Sequence, residues 1–314
     1  MWQLNLYTKF KILGKDASIM LAGIQLIYIY LKGENMSNLF MRFPKGRSKT
    51  LTLSYDDGVE QDIRLIEIMN KYGLKGTFNL NTGNYAKENK KYEDDEIHRV
   101  MTKKQATEVY SDCEQEIAVH SLTHPFLEQL PSSRVAYEIS RDRENLENQF
   151  GIIVRGMAYP YGTYNDEVID ILKKLNIAYA RTVISTEDFR IPTDWLRLTT
   201  TCHHNNPKLM ELSEKFLIYK PKKEPALFYL WGHSYEFEKD NNWHIIENFS
   251  RYMGNKDDIW YATNIEIYEY IEAFRKLIFS MDGNIVENPT AITLYFVYKN
   301  RDYVIKSGEV LKLS

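Results

Sequence analysis

The sequence predicts an α/β fold in which a largely parallel sheet closes into a barrel, and three observations carry that reading. From Leu51 onward, short apolar runs alternate with helical patterns. Repeated β-then-α units require parallel strands, and roughly seven of them suffice to close a sheet on itself. Four of the apolar runs end directly in clusters of polar, chemistry-bearing residues. No low-complexity linker or internal repeat divides the 314 residues, so one main domain is the economical reading.

Leu51-Thr52-Leu53 reads as the first strand. Ile63, Ile66, Met69 and Tyr72 recur at a helical period that Gly73 closes. Gly76 to Leu80 and Ile117 to Val119 are the next strands. Ser132 or Ser133 opens a long helix that ends before Gly151. Ile152 to Ala158 is strand-like, and Asn165 caps a helix running through Leu175. Ile177 to Arg181, Ala226 to Trp231 and Ile259 to Ala262 complete the strand set, while Tyr261, Tyr268 and Phe274 fall at core positions. The tail differs: Ile292, Leu294 and Phe296, then Tyr303 and Ile305, alternate around the turn signal Asn300-Arg301-Asp302. The predicted division is therefore an extension over 1–45, a barrel over 46–285 and a small C-terminal β appendage over 286–314.

Composition narrows the function classes. Hydrophobic residues are 44% and charged residues 26%, which is globular rather than disordered. Forty Lys+Arg against 43 Asp+Glu leave a net charge of −3, so no whole-chain basic field would hold a nucleic acid. Cys113 and Cys202 lie far apart and outside any CxxC, which removes a disulfide framework and a thiolate zinc site. The one long apolar run, residues 17–31, follows Lys9, Lys11 and Lys15 but is short for a membrane span and contains Gln25. Three readings stay open: an anchor or export signal, a docked amphipathic segment, or a true start at Met36 that favours the cytoplasm.

The clusters carry the chemistry. Ser54-Tyr55-Asp56-Asp57-Gly58 places two adjacent carboxylates at a strand end, where they repel unless a cation or proton intervenes. His120-Ser121-Leu122-Thr123-His124 sets two imidazoles four residues apart, which in a helical turn would share one face and reach one metal. Ala158-Tyr159-Pro160-Tyr161-Gly162 and Leu230-Trp231-Gly232-His233-Ser234 end two further strands. In a β/α barrel those ends share the catalytic face. Each cluster alone is ordinary turn chemistry; four on one face are not. His203-His204 read as a loop, and His98 and His244 as surface side chains.

Taken together, these residues resemble the polysaccharide deacetylases, carbohydrate esterase family 4, with its NodB-homology domain, over roughly Leu51 to Phe279. The family's Thr-Phe-Asp-Asp-Gly is matched by Ser54 to Gly58, and its His-Ser/Thr-x-x-His by His120 to His124. The resemblance implies a distorted (β/α)7 barrel with a divalent metal on Asp57, His120 and His124. Zinc is the first expectation, with cobalt, nickel or manganese as alternatives. It further implies Asp56 as general base, His233 as general acid and the Tyr161 backbone N–H at the oxyanion; the Trp231 and Tyr161 rings are candidates to border the sugar. Two positions depart from the pattern. Ala158 stands where the third motif has the Arg that orients the base, and Ile191 stands where the fourth motif has its first Asp, leaving only Asp194-Trp195. The implied activity is removal of acetyl groups from an N-acetylhexosamine-containing or O-acetylated carbohydrate. The alternatives are hydrolysis of a small non-sugar amide on the same barrel and a catalytically weak sugar-binding protein. A two-carboxylate glycosidase is disfavoured, because adjacent Asp56 and Asp57 cannot flank a glycosidic bond.

Overall fold

The structure, a computed structural model, describes residues 38–93, 95–111 and 114–313. Strand β1 (Leu39–Arg42) belongs to a peripheral sheet, and the barrel starts with β2 (Lys49–Asp56), buried along its whole length. From β2 the parallel order runs through β3 (Gly76–Leu80), β4 (Glu116–Val119), β5 (Gly156–Ala158) and β6 (Tyr179–Ser185) to β7 (Leu198–Thr200). On its other edge β2 pairs with β9 (Ala226–Gly232), which pairs with β8 (Cys202–His203). Only Thr201 separates β7 from β8, and its N–H donates to the Tyr229 carbonyl on β9 (2.9 Å). That segment therefore runs from β6 across to β9. Setting aside β10 (Ile259–Tyr261), which pairs only with the start of β2, and taking β7 with β8, the nine-stranded sheet becomes a circuit of seven. The circuit is distorted where the β6–β7 register shifts between Arg181 and Ser185.

The helices pack outside. They are α1 (Gln61–Lys71), α2 (Lys103–Ser111), α3 (Ser132–Phe150), α4 (Asp166–Lys174), α5 (Leu209–Ile218), α6 (Tyr235–Lys239), α7 (His244–Met253) and α8 (Asn264–Arg275). The Asn165 side chain accepts from the Val168 N–H to open α4, and acidic residues lead and lysines end that helix, as the macrodipole favours. Gly151 ends α3 at φ 67°, a left-handed cap that glycine adopts without a Cβ penalty. In α1 the buried face is Leu65, Ile66, Ile68 and Met69, while Ile63 is exposed. At 100° per residue Ile63 points away from the centre of that face, so the predicted helix forms with Ile63 off its buried side.

Two small antiparallel sheets complete the fold. One joins β1 to β13 (Leu294–Tyr298) and β14 (Arg301–Ile305); the other joins β11 (Ile278–Phe279), β12 (Ile285–Glu287) and β15 (Val310–Lys312). The β13–β14 hairpin turns on Lys299 and Asn300, both at positive φ, one residue before the predicted turn signal. The small sheets take strands from both sides of the barrel, since β1 precedes residue 46 and β11 precedes residue 286. A second apolar core, including Phe43, Tyr270, Leu294 and Phe296, fills the space between them and the barrel wall. Tyr261 packs on the main core, Tyr268 and Phe274 on the second. The apolar run 17–31, Met36 and Cys113 lie outside the described residues. Among the described residues, no helix is long and apolar enough to cross a membrane.

Candidate active site

The four clusters meet at the C-terminal ends of β2, β4, β5 and β9. Asp56 is the last residue of β2, and Asp57 follows at φ 79°, its N–H donating to the Asn79 carbonyl (3.0 Å). A left-handed residue there turns successive carboxylates in different directions, and Asp tolerates that conformation better than most side chains. Asp57 Oδ1 lies 3.8 Å from His120 Nε2 and 3.9 Å from His124 Nε2. The three donor atoms all fall within 4.8 Å of one another.

His120 and His124 converge, but not as neighbours on a helical turn. Residues 120–124 form an irregular loop with Ser121 at φ 64° and His124 at φ 57°. Such positions cost about 1–3 kcal/mol each and persist where surroundings over-determine them. Here they do. Asn81 donates to the His120 and Ser121 carbonyls. On α3, Glu138 accepts from the Thr123 N–H (2.8 Å) and hydroxyl (3.0 Å), while Asp142 accepts from the His120 N–H (3.2 Å). Glu138 and Asp142 are buried, four residues apart on one helix face.

The donor set suits a divalent cation. His120 Nδ1 donates to the Ala158 carbonyl (2.8 Å), which leaves the Nε2 lone pair facing Asp57 and His124. Burial, followed by the neighbouring His120, pushes the His124 imidazole down to about 4, so it is neutral and free to ligate at physiological pH. Donor separations of 3.8–3.9 Å fit one ion with bonds of roughly 2.0–2.2 Å, and imidazole with carboxylate is a zinc-type set.

Asp56, beside this group, is buried and doubly held. Asn79 Nδ2 donates to its Oδ1 (2.8 Å), and the Arg181 guanidinium donates to its Oδ2. Arg181 is itself fully buried and lies over the Trp231 ring, 4.7 Å from the centroid. Burial alone would raise the Asp56 carboxyl, but Arg181, then His120 and His233, hold it below its ordinary value. Arg181 stands in register with Ala158 on the adjacent strand. The guanidinium missing at 158 is thus present one strand over, at the same level of the barrel.

His233 Nε2 lies 3.8 Å from Asp56 Oδ2, and its Nδ1 lies 3.2 Å from Glu236 Oε1. Glu236 Oε2 also meets His203 Nε2 (3.2 Å) and the fully buried His204 Nε2 (3.0 Å). Its carboxylate is held far below the usual range: burial opposes ionisation, and contacts with His203, His204 and His233 overcome it. Burial lowers the His233 imidazole, but Glu236 and then Asp56 raise it above its ordinary value. His203, His233 and Glu236 lie close enough to suggest a second cation. The Asn205 N–H, however, donates to His203 Nδ1 (3.1 Å), which puts the ring proton on Nε2 and directs it to Glu236. Gly232 makes the cluster possible, because a Cβ there would fall 2.0 Å from His204 Nδ1.

Of the other sequence-predicted residues, Tyr161 sits at φ 58° with its ring half exposed, stacked on Phe126 (3.9 Å, 12°) and edge-on to His124 (4.5 Å). Trp231 is only 8% exposed and packs between Arg181 and His203. Asp194 and Trp195 turn elsewhere, to Arg197 and Glu272. His98 is exposed, as the sequence suggests, and also places Nε2 3.2 Å from Asp57 Oδ2. His203 and His204 are not plain loop but the strand-end pair on Glu236. Sequence reasoning also missed Asn79, Arg181 and Glu236. Its available signal was polarity inside apolar strand runs, as at Thr77-Phe78-Asn79 and Tyr179-Ala180-Arg181. A cleft of about 350 Å³ opens over Asp57 and His124, lined also by Asn81, Asn84, His98, Thr123 and Tyr161.

Comparison with known proteins agrees with this geometry. The family model described as polysaccharide deacetylase matches residues 44–180. An uncharacterized protein of Bacillus subtilis (strain 168), YlxY, is 26% identical over 129 residues, 41% of this chain and 36% of that protein, so the chain spans about a third of this curated relative. The solved structure of the Streptococcus pyogenes deacetylase PplD, in complex with acetate, is 26% identical and covers 42% of this chain and 55% of its own, with a TM-score of 0.37. A Mycobacterium smegmatis protein assigned to the polysaccharide deacetylases is 16% identical, covers 75% of this chain and 94% of its own, and shares the fold at a TM-score of 0.54. With the barrel, the Asp-Asp-Gly and HxxxH motifs and the matched segment in agreement, residues 44–180 form a domain of the polysaccharide deacetylase, carbohydrate esterase family 4, type.

Proposed function

We propose that the protein is a metal-dependent carbohydrate deacetylase that hydrolyses acetyl groups on N-acetylhexosamine-containing or O-acetylated saccharides. The observation that carries this reading is the convergence of Asp57, His120 and His124 beside a buried Asp56 already paired with Arg181. When bound, a divalent ion, zinc by donor chemistry, supplies Lewis-acid polarisation of the acyl carbonyl and lowers the pKa of water. Asp56, kept ionised by Arg181, accepts the proton of the attacking water. Asn79 and Arg181 hold its two oxygens, so the base does not reorient as charge moves. His233, with Nδ1 anchored on Glu236, presents Nε2 to the leaving amine or alcohol and donates its proton there. The Tyr161 N–H stabilises the developing oxyanion. Trp231 supports Arg181 from below rather than stacking on a ligand, whereas the half-exposed Tyr161–Phe126 pair offers the sugar an aromatic surface.

The test is acetate release from a panel of acetylated oligosaccharides, after chelation and again with metal restored. Metal-dependent release supports the reading. Binding without release, or turnover only of small non-sugar amides, would sink it.

A further inference from the structure

The two oxygens of Asp57 face different partners. Oδ1 faces His120 and His124, whereas Oδ2 lies 3.2 Å from His98 Nε2. His98 comes from the long segment between β3 and α2, and its neighbours are tied down on both sides. The Arg99 guanidinium bonds Glu238 twice (2.8 and 2.9 Å) and Glu60 once (3.0 Å), the Glu60 N–H donates to the Arg99 carbonyl (2.7 Å), and Gln61 Nε2 donates to the Ile97 carbonyl (2.7 Å). The His98 ring also meets Tyr235 edge-on at 4.8 Å. The imidazole is thus presented on a fixed backbone, although its side chain is 48% exposed. Among the described residues, the converging donor group contains Asp57, His120 and His124 but not His98.

We infer that His98 is a positioning residue for the metal ligand Asp57. Its Nε2–H occupies Oδ2, so the carboxylate offers the cation only Oδ1. A carboxylate left free could chelate through both oxygens and fill a position that hydrolysis needs for water and carbonyl, or swing out of the site. Pinning one oxygen removes both options, the role hydrogen-bonding partners of metal ligands commonly play. This inference rests on the metal reading proposed above.

The experiment measures zinc dissociation constants by competition with a chromogenic chelator for the full chain, His98→Ala and His98→Gln. Glutamine can offer an N–H from nearly the same place as His Nε2. The expected result is a 10–100-fold weaker constant for His98→Ala, with His98→Gln recovering most of the loss. Equal affinity of His98→Ala and wild type overturns the role of His98 while leaving the metal site standing. A glutamine variant as weak as the alanine variant overturns it too, because the side chain then acts by bulk rather than by its N–H. If the unaltered chain binds no zinc, the metal reading and this inference fall together.

Discussion

On the reading proposed above, the site has a metal half and an acid–base half, and the two are built differently. On the metal side, Asp57, His120 and His124 come from two short segments, and their convergence depends on left-handed backbone at Asp57, Ser121 and His124. Buried Asn81, Glu138 and Asp142 lock that loop. On the acid–base side, Asp56 and His233 sit at the ends of ordinary strands, and their partners arrive from elsewhere: Arg181 from β6 and Glu236 from α6. Metal bonds are short and directional, so their donors must hold one backbone path. Charge compensation acts through space, and a guanidinium on a long stem reaches its carboxylate from either of two adjacent strands. The proposed metal half would therefore tolerate little relocation, whereas the proposed acid–base half has its arginine one strand away from the position the family motif gives it.

The sharpest way to break this contrast is His124→Ala. Removing a ligand should abolish both stoichiometric metal, read by elemental analysis, and acetate release. Full metal content in that variant would mean the loop does not form the site. Next is Arg181→Met, which leaves Asp56 buried without its cation. Stability at neutral pH should fall by about 3–5 kcal/mol, the usual result of breaking a buried pair. Asp56 should lose its main lowering influence, so the ascending, low-pH limb of the rate profile should move to higher pH, and turnover should drop about 100-fold with metal retained. The comparison is sharpened by Ala158→Arg in an Arg181→Ala background. If position in register is what matters, part of the lost turnover should return; no recovery would show that the two strands are not interchangeable.

Glu236→Gln should act more mildly. It removes the group that does most to raise His233, so the descending, high-pH limb of the rate profile should shift to lower pH. Turnover of an amide should fall about 10-fold, and less for an activated aryl acetate that leaves without protonation. Equal losses on both substrates would assign His233 to binding. The smallest effect concerns Asp62, which anchors Ser234, beside His233, at 2.6 Å. Burial raises the Asp62 carboxyl to about 7 against hydrogen bonds that favour ionisation. The native state then keeps a proton that the unfolded chain releases, so this contribution falls as pH rises from about 4 to about 7 and is flat above. Urea unfolding at pH 5 and pH 8 should show wild type losing ground to Asp62→Asn at the higher pH. A difference that does not move with pH would contradict the raised carboxyl.

Much of the architecture was legible locally. The Asn165 cap, the Gly151 terminus and the strand Gly76–Leu80 follow from rules that involve only neighbours in sequence. The helical period through Ile63 gave the helix but not its buried side, because a single apolar residue satisfies the period without lying at the centre of the buried face. His98 is the surface side chain its polar surroundings suggest, but nothing near it in sequence tells that its loop folds back to Asp57.

The sequence by itself determined the β-then-α order, the paired carboxylates and the HxxxH spacing, because each is a property of one strand end and its immediate loop. Only the tertiary structure decided which residues complete the charges. Arg181 lies 125 residues from Asp56, and its proximity arises from the parallel β5–β6 register and the closed circuit. Glu236 lies three residues after His233, yet what distinguishes it from neighbouring Glu238 is the turn into α6 and the two imidazoles that β8 brings alongside. Spacing along the chain encodes directional bonds made by adjacent residues; the placing of a compensating charge is set by burial and distance, which exist only once the barrel has closed.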